Sequence, residues 1–346
     1  MPISPKPKLI PALVVAVALL VVPAGARATL AYTTHVFHPH VVVARDNGKG
    51  AKTIGAGTTP KVAPNGKLVA FEREPANGKG PEMELYDIAT GKTKTIFQPW
   101  RESYTFAWSP DSTMVAALRG GELGTRTLFV IDVETGKATR IATGYFNGVS
   151  FSPDSEEVVF GLSSGDFGGK TDLVRDPVTG GPSSTLTHDH ISGYPLWGPQ
   201  GQIVFVKQLN AKGRKYHEPK NDLFLMNANG KGVKRLTHTT VGDLVFGLFP
   251  TAWSASGNQL LAEFGGQDTS YAVAVNPKTG KEKNLSPNNS ETGFAGVALT
   301  PNGKTVLGYI GGFEGGGNSL KIASVPYKGG KPKVIVTGGF NPSWGG

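Results

Sequence analysis

One turn pattern recurs along most of the chain and limits the folds that it can adopt. A short apolar stretch is followed by a tight turn, such as Pro-Asn-Gly or Pro-Asp-Ser, and then by a β-rich run. The turns begin at Pro64, Pro110, Pro153, Pro199, Ala255 and Pro301, which are spaced 43 to 56 residues apart. This period indicates repeated supersecondary units rather than one irregular core.

A second turn lies between successive copies of the first. It is a Thr-Gly, Asn-Gly or Lys-Gly pair, in which glycine supplies the positive φ that a hairpin needs. Its glycines are Gly48, Gly91, Gly136, Gly180, Gly230, Gly280 and Gly329. Each repeat therefore contains strands A to D, joined by an A–B turn, a B–C connection and a C–D turn, with a D–A connection to the next repeat. Four antiparallel strands in such a period are the blade of a β-propeller.

Some of the repeats resemble those of the TolB-type propellers, a class similar to the WD-repeat proteins. The resemblance lies in Trp108-Ser109-Pro110-Asp111, in Trp253-Ser254 and in residues 223–237, and it extends over residues 29–346. It implies a propeller that binds a partner without catalysis. The namesake of that family has an α/β domain before its propeller, and nothing here matches one, so the namesake's partners are not carried over.

The two ends of the chain decide the predicted number of blades. Seven C–D turns accompany six complete A–B units, because only the strand-like residues 29–34 precede the hairpin of residues 40–54. The missing A strand is predicted at residues 340–344, since Pro342-Ser343-Trp344 matches Pro195-Leu196-Trp197. We therefore predict an all-β, seven-bladed β-propeller with four antiparallel strands per blade, closed by the C-terminal strand joining the N-terminal blade. A six-bladed ring with spare end strands is the alternative.

Residues 1–28 have the pattern of a secretory signal peptide. Lys6 and Lys8 precede an apolar run over residues 13–22, and Ala26-Arg27-Ala28 supplies the small residues of a cleavage site. Cleavage after Ala28 would leave residues 29–346 as a single β-propeller domain with no stable membrane span. The expected location is secreted, periplasmic or at the cell surface.

Charge and composition narrow the expected partners. The formal charge is +9, and removal of residues 1–28, which hold three basic residues and no acid, leaves +6. We expect the partner to be a protein or cell-envelope component, with an anionic glycan as a further option, and we expect no nucleic acid. The chain has no cysteine, so burial and strand pairing must stabilise it. A monomer without a cofactor is expected.

The histidines are the most suggestive candidates for a site. They are predicted to lie in B–C or D–A connections, which open on the same face of a propeller. These residues are His35, His38, His40, His188, His190, His217 and His238. Four of them, His188, His190, His217 and His238, come from neighbouring loops and are weak candidates for a transition-metal site.

Cationic and aromatic residues are predicted on the same face. Residues 207–221 form the longest B–C loop, and Phe246 and Phe249 are placed in a D–A connection. Loops on a rigid scaffold commonly carry recognition. The proposed binding residues, besides the histidines, are Trp100, Arg101, Tyr104, Arg214, Lys215 and Tyr216. The recurring Trp108, Trp197, Trp253 and Trp344 are instead expected to pack between blades.

Two functions fit these observations. The favoured one is a non-enzymatic scaffold that binds a protein or envelope component on the B–C/D–A face, and no residue is assigned a catalytic role. The alternative is a secreted lyase or hydrolase that acts on an acidic polysaccharide through a rim histidine or metal site. Peptidase, phosphate-loop and His-Glu-x-x-His signatures are missing from the sequence.

Overall fold

The fold is built from β-strands that pair with their neighbours along the chain. The computed structural model describes residues 28–73, 80–98, 106–120, 124–165, 170–209, 220–242, 245–266, 269–286, 293–311 and 320–346. Within these ranges there is no α-helix, and no helix with the length and apolar character needed to cross a membrane. The all-β prediction is therefore confirmed.

The strands are numbered in chain order. They are β1 (Thr29–Thr34), β2 (His40–Arg45), β3 (Lys52–Ala56), β4 (Thr58–Val62), β5 (Leu68–Arg73), β6 (Glu82–Asp87), β7 (Thr93–Phe97), β8 (Phe106–Trp108), β9 (Met114–Gly120), β10 (Arg126–Asp132), β11 (Ala138–Phe151), β12 (Glu157–Ser163), β13 (Thr171–Pro177) and β14 (Ser184–Thr185). They continue as β15 (Ser192–Trp197), β16 (Gln202–Leu209), β17 (Lys220–Asn227), β18 (Lys234–Arg235), β19 (Val245–Trp253), β20 (Leu260–Gly266), β21 (Ser270–Val275), β22 (Glu282–Asn284), β23 (Phe294–Leu299), β24 (Thr305–Ile310), β25 (Lys321–Pro326), β26 (Lys333–Thr337) and β27 (Gly339–Gly345).

The two ends of the described chain meet in one four-stranded sheet of order β27-β1-β2-β3. β1 and β27 are antiparallel, with Leu30 opposite Trp344 and Ala31 opposite Ser343. The Ser343 hydroxyl also accepts a hydrogen bond of 2.9 Å from the Val62 backbone N–H in β4. The predicted pairing of residues 340–344 with residues 29–34 is confirmed.

The remaining strands pair in the predicted order A to D. β4 to β7 form one sheet, β23 to β26 form another, and two larger sheets contain β8 to β14 and β15 to β22. The first larger sheet arises because β11 is one strand of 14 residues, where the sequence predicted a D strand and a separate A strand. Its first part pairs with β10 and its second part with β12, with an irregular register between Phe146 and Val149.

Seven strands, which we call the inner strands, are each the first of a group of four. They are β27, β4, β8, β11, β15, β19 and β23. Inner strands of successive groups contact one another: β11 contacts β8 and β15, β19 contacts β15 and β23, and β27 contacts β23 and β4. The remaining neighbours, β4 and β8, are linked by a 2.9 Å hydrogen bond from Trp108 Nε1 to the Lys61 carbonyl.

The apolar core lies between neighbouring groups of strands. One cluster joins Val41 and Val43 of β2 to Val69 and Phe71 of β5. Trp197 is buried in another cluster, and Trp253 Nε1 donates a 3.3 Å hydrogen bond to the Leu196 carbonyl. These contacts agree with the prediction that the tryptophans pack between groups of strands.

Candidate functional site

Two D–A connections lie on the predicted B–C/D–A face. We call residues 186–191 the first rim connection and residues 236–242 the second. The rim consists of these two connections and the strand ends that contact them. The Thr171 N–H at the start of β13 donates to the His190 carbonyl at 3.1 Å. The Gln208 N–H near the end of β16 donates to the Ile191 carbonyl at 2.8 Å. The first rim connection therefore lies against two strand ends that border B–C connections.

Asp172 fastens the first rim connection to β13. Its Oδ1 accepts hydrogen bonds from the Thr187 hydroxyl at 3.1 Å and from the His190 N–H at 3.0 Å. Its Oδ2 lies 2.6 Å from Nδ1 of His190, whose side chain is 53% exposed. His190 also has φ +62°, a conformation that is uncommon for a residue other than glycine. The carboxylate thus fixes both the backbone and the imidazole of this connection.

An ion pair joins the first rim connection to the following group of strands. Asp189 lies 2.6 Å from the Lys207 ammonium of β16 and also accepts a 2.8 Å hydrogen bond from the Ser192 hydroxyl. Burial opposes ionisation of Asp189, but the hydrogen bonds from Lys207 and Ser192 outweigh it, so the pKa of this carboxyl is lowered. Asp189 is therefore held as the anion.

The second rim connection repeats the fastening of the first. Asp222 of β17 accepts hydrogen bonds from the Thr237 hydroxyl at 3.3 Å and from the Thr239 N–H at 3.0 Å. Its cationic partner is the Arg235 guanidinium, and the Lys220 ammonium lies 4.0 Å away. Asp222 has a fully buried side chain, so these groups replace the water that its charge would otherwise require.

Glu282 of β22 extends the second rim connection to the next group of strands. It accepts a 2.9 Å hydrogen bond from the Thr239 hydroxyl. Burial raises the pKa of the Glu282 carboxyl, the Thr239 hydrogen bond opposes that shift, and the nearby charge of Asp222 adds to it. The first rim connection has no matching carboxyl within the described residues.

An aromatic pair joins the inner strands β15 and β19, next to the first rim connection. Tyr194 of β15 and Phe249 of β19 make an edge-to-face contact with ring centroids 5.0 Å apart. Tyr194 is 36% exposed, and its N–H donates a 3.2 Å hydrogen bond to Asn147 of β11. The placement of Phe246 and Phe249 in a D–A connection was wrong, because β19 begins at Val245 and includes both.

The predicted site residues are only partly within the described chain. His188 and His190 lie in the first rim connection and His238 in the second, all exposed. His35 and His38 lie in the connection between β1 and β2, whereas His40 is the first residue of β2 and not part of a connection. Seven predicted residues fall outside the described ranges, namely Trp100, Arg101, Tyr104, Arg214, Lys215, Tyr216 and His217.

The described histidines do not share a metal-binding arrangement. Across the ranges given above, no group of three or more His, Asp or Glu side chains is placed to hold a metal ion. His217, the fourth metal candidate, is not among the described residues. A metal site that includes it stays a prediction.

The residues that hold the two rim connections in place were not identified from the sequence. Asp172 and Asp222 were not selected, although each is followed 15 residues later by the threonine that it binds. The repeated Leu-Thr-His at residues 186–188 and 236–238 was the available signal. Lys207 was noted only as the start of a long loop, whereas it lies in β16.

Comparison with solved structures supports the fold. The propeller domain of the Trilobed protease from Pyrococcus furiosus is similar with a TM-score of 0.66 and 14% identity, covering 90% of this chain and 92% of that one. TolB from Acinetobacter baumannii has a TM-score of 0.55 and 16% identity over 93% and 83%. Oligogalacturonate lyase from Vibrio parahaemolyticus has a TM-score of 0.58 and 13% identity over 90% and 85%.

No protein-family model and no curated protein matches the chain. At these identities the likeness extends to the fold alone. The Pyrococcus domain is described as having an open velcro topology, whereas here the terminal strands β1 and β27 are paired. The chain therefore has an all-β fold of the β-propeller type, similar to that of TolB.

Proposed function

We propose that the protein is an exported, non-enzymatic β-propeller that binds a protein or cell-envelope component through the rim. The observation that carries this proposal is the pair of fastened D–A connections. Asp172 and Asp222 hold these loops in place while His188, His190 and His238 remain exposed. A surface that is ordered before binding loses less conformational entropy when a partner arrives.

The chemistry of the rim supports a polar partner with an aromatic contact. The exposed imidazoles present hydrogen-bonding groups, and Tyr194 offers an amphipathic ring of the kind enriched in interfaces. The net positive charge of the mature chain favours an acidic protein surface or an anionic glycan. The binding unit in this proposal is a monomer that requires no cofactor.

The scaffold in this proposal is a seven-bladed ring. Seven inner strands each begin a group of four, and contacts between inner strands run from β4 through to β27, which also contacts β4. The pairing of β27 with β1 would then complete the first blade. Deletion of residues 340–346 is expected to lower the melting temperature sharply, because β1 would become an unpaired edge. An unchanged melting curve would favour the six-bladed alternative.

Photo-crosslinking tests the assignment of the binding surface. A photoreactive amino acid is placed at His188 or His238, with matched controls at Lys137 and Lys304 in the C–D and A–B turns, and each mature protein is mixed with a solubilised cell-envelope fraction. The rim positions should yield the same adduct by mass spectrometry, and the controls should not. Equal labelling from the turns, or no specific adduct from either rim position, would refute the rim as the binding surface.

Export has its own test. The protein purified from the extracytoplasmic fraction should begin at Thr29, as cleavage after Ala28 requires. Terminal sequencing by mass spectrometry measures this directly. Recovery of the full chain from the cytoplasm alone would contradict the proposed location without bearing on the rim.

One observation favours the polysaccharide lyase or hydrolase as a second candidate. The Asp172–His190 pair places a carboxylate on Nδ1 of a half-exposed imidazole, an arrangement that suits a general base. The test is to incubate the mature protein with polygalacturonate, with and without divalent metal, and to follow unsaturated products and reducing ends. The scaffold proposal predicts no product. Turnover that is lost in His190→Ala and kept in His188→Ala would establish the enzyme instead.

A further inference from the structure

A surface groove lies between β2, β3 and β6, beside the C–D turns and at the opposite end of the strands from the rim. Its volume is about 270 Å³, and we call it the first groove. Val43 and Tyr86, which belong to one apolar cluster, line it together with Ile88, which packs against that cluster. Arg45 and Lys52 also line it, and both are exposed. The first groove therefore combines apolar surface with two cations.

The next repeat has a second groove at the same place, between β6, β7 and the turn after β10. Its volume is about 430 Å³. Strand register shows which residues correspond. The corresponding residues of the first and second grooves are Val43 and Leu85, Lys52 and Lys94, Arg45 and Asp87, and Ile88 and Val133. The two grooves are thus copies of one structural feature and can be compared directly.

The two grooves differ in charge. Arg45 of the first groove has the position that Asp87 has in the second. The second groove is also lined by Glu134, so its two carboxylates balance the ammonium groups of Lys92 and Lys94. No Asp or Glu is among the described residues that line the first groove, which leaves it with two positive charges.

The two cations of the first groove have no carboxylate partner among the described residues. Lys52 donates a 3.2 Å hydrogen bond to the Tyr86 hydroxyl, and its ammonium lies 5.7 Å from the centre of that ring. Arg45 forms no ion pair in the described ranges. A carboxylate that enters the first groove can therefore bind both groups without displacing an acidic side chain of this chain.

We propose that the first groove binds an acidic, aliphatic peptide segment of a protein partner. A carboxylate of the segment pairs with the guanidinium of Arg45, which can donate two parallel hydrogen bonds, and with the ammonium of Lys52. A neighbouring aliphatic side chain covers Val43 and Ile88 and removes apolar surface from water, which favours a peptide over a glycan. Removal of the proposed signal peptide would leave the ammonium of Thr29 at this groove and add a positive charge. The site is separate from the rim.

Peptide selection tests the first groove. Random dodecapeptides displayed on phage are selected on the mature protein, with counter-selection on Arg45→Glu. Lys92→Glu in the second groove is the matched control, because it changes the charge by the same amount. The selected peptides should contain Asp or Glu beside Leu, Ile or Val. A synthetic copy should bind Arg45→Glu at least about tenfold more weakly than wild type and Lys92→Glu within about twofold of wild type, by fluorescence polarisation.

The apolar part of the groove is tested separately. Ile88→Ala should weaken binding of the same peptide by about threefold or more, because it removes apolar contact area. Melting curves show that each variant is folded. Unchanged affinity in a folded Ile88→Ala protein would overturn the assignment of the aliphatic contact.

Four results would overturn the site as a whole. They are the recovery of no peptide that distinguishes wild type from Arg45→Glu, equal weakening by Arg45→Glu and Lys92→Glu, displacement of the peptide by oligogalacturonate that binds more tightly, and a dimer in sedimentation that Arg45→Glu abolishes. The third result would identify a glycan as the occupant, and the fourth would identify a second copy of the chain. None of them bears on the crosslinking test of the rim.

Discussion

The two rim connections share one fastening but expose different chemistry. In both, a carboxylate near the start of a C strand holds a threonine 15 residues later and a backbone N–H beyond it. The side-chain partner differs, because Asp172 pairs with the half-exposed His190, whereas the fully buried Asp222 pairs with Arg235. The first connection therefore presents an imidazole to solvent, and the second uses its guanidinium mainly to neutralise a buried charge.

The two connections differ in how much each contributes to stability and to binding. Asp222 is buried, so the folded protein can accommodate its charge only while Arg235, Thr237 and Thr239 bind the carboxylate. The Asp172 side chain is 17% exposed, so water can replace part of the hydrogen bonding that its partners lose when the carboxylate is removed. We expect the second rim connection to contribute more to stability and the first to contribute more to binding.

The largest expected effect comes from removing the two carboxylates. Asp222→Ala should lower the free energy of unfolding by about 3 kcal/mol, because it leaves the Arg235 guanidinium and the Thr239 N–H without their acceptor. Asp172→Ala should cost about 1 kcal/mol, since its partners are more exposed. Chemical denaturation of both variants measures the difference. Equal losses in the free energy of unfolding would show that the two connections do not differ in stability.

Glu282 should make the second rim connection sensitive to pH. Because burial raises its pKa in the folded protein above the unfolded value, the stability it contributes is present at low pH and lost as pH rises through the folded pKa. The stability of wild type relative to Glu282→Gln should therefore fall as pH increases from the acidic range to neutrality. Denaturation of both proteins across that range is the measurement, and a difference that is constant or grows with pH would contradict the burial of this carboxyl.

The smallest expected effect separates two histidines of the first rim connection. His190→Gln loses the side-chain bond to Asp172 and should cost about 0.5–1 kcal/mol, as the loss of one hydrogen bond usually does. His188→Gln is the matched control and should change stability by less than about 0.5 kcal/mol, as is usual at exposed positions. Thermal unfolding of the two variants compares them. A larger loss of stability in His188→Gln than in His190→Gln would show that the bond between Asp172 and His190 does not hold this connection.

The order of the strands could be predicted from the sequence because each turn depends on residues that are adjacent in the chain. The glycines at the C–D turns and the first residues of the A–B turns mark hairpins, and the match of Pro342-Ser343-Trp344 to Pro195-Leu196-Trp197 identified the strand that pairs with β1. The fusion of two predicted strands into β11 was missed because Gly144 and Asn147-Gly148 are typical of a turn, whereas the chain continues through them with an irregular register between Phe146 and Val149.

The site was harder to predict because its key contacts cross between strands. Asp172 and Asp222 look like ordinary surface acids until the pairing of β13 with β14 and of β17 with β18 brings the threonine that follows each short strand beside them. The histidines were selected for their chemistry and lie where they were expected, at His188, His190 and His238. The orientation of the His190 imidazole depends on a carboxylate that composition cannot reveal.

Amide hydrogen exchange in the free protein measures whether the rim is ordered before a partner binds. The His190 N–H and the Thr239 N–H each donate to a carboxylate in the free protein. We expect both amides to exchange at least about tenfold more slowly than in an unfolded chain, with Thr239 the slower of the two. Exchange of both amides at the unfolded rate in the free protein would contradict it.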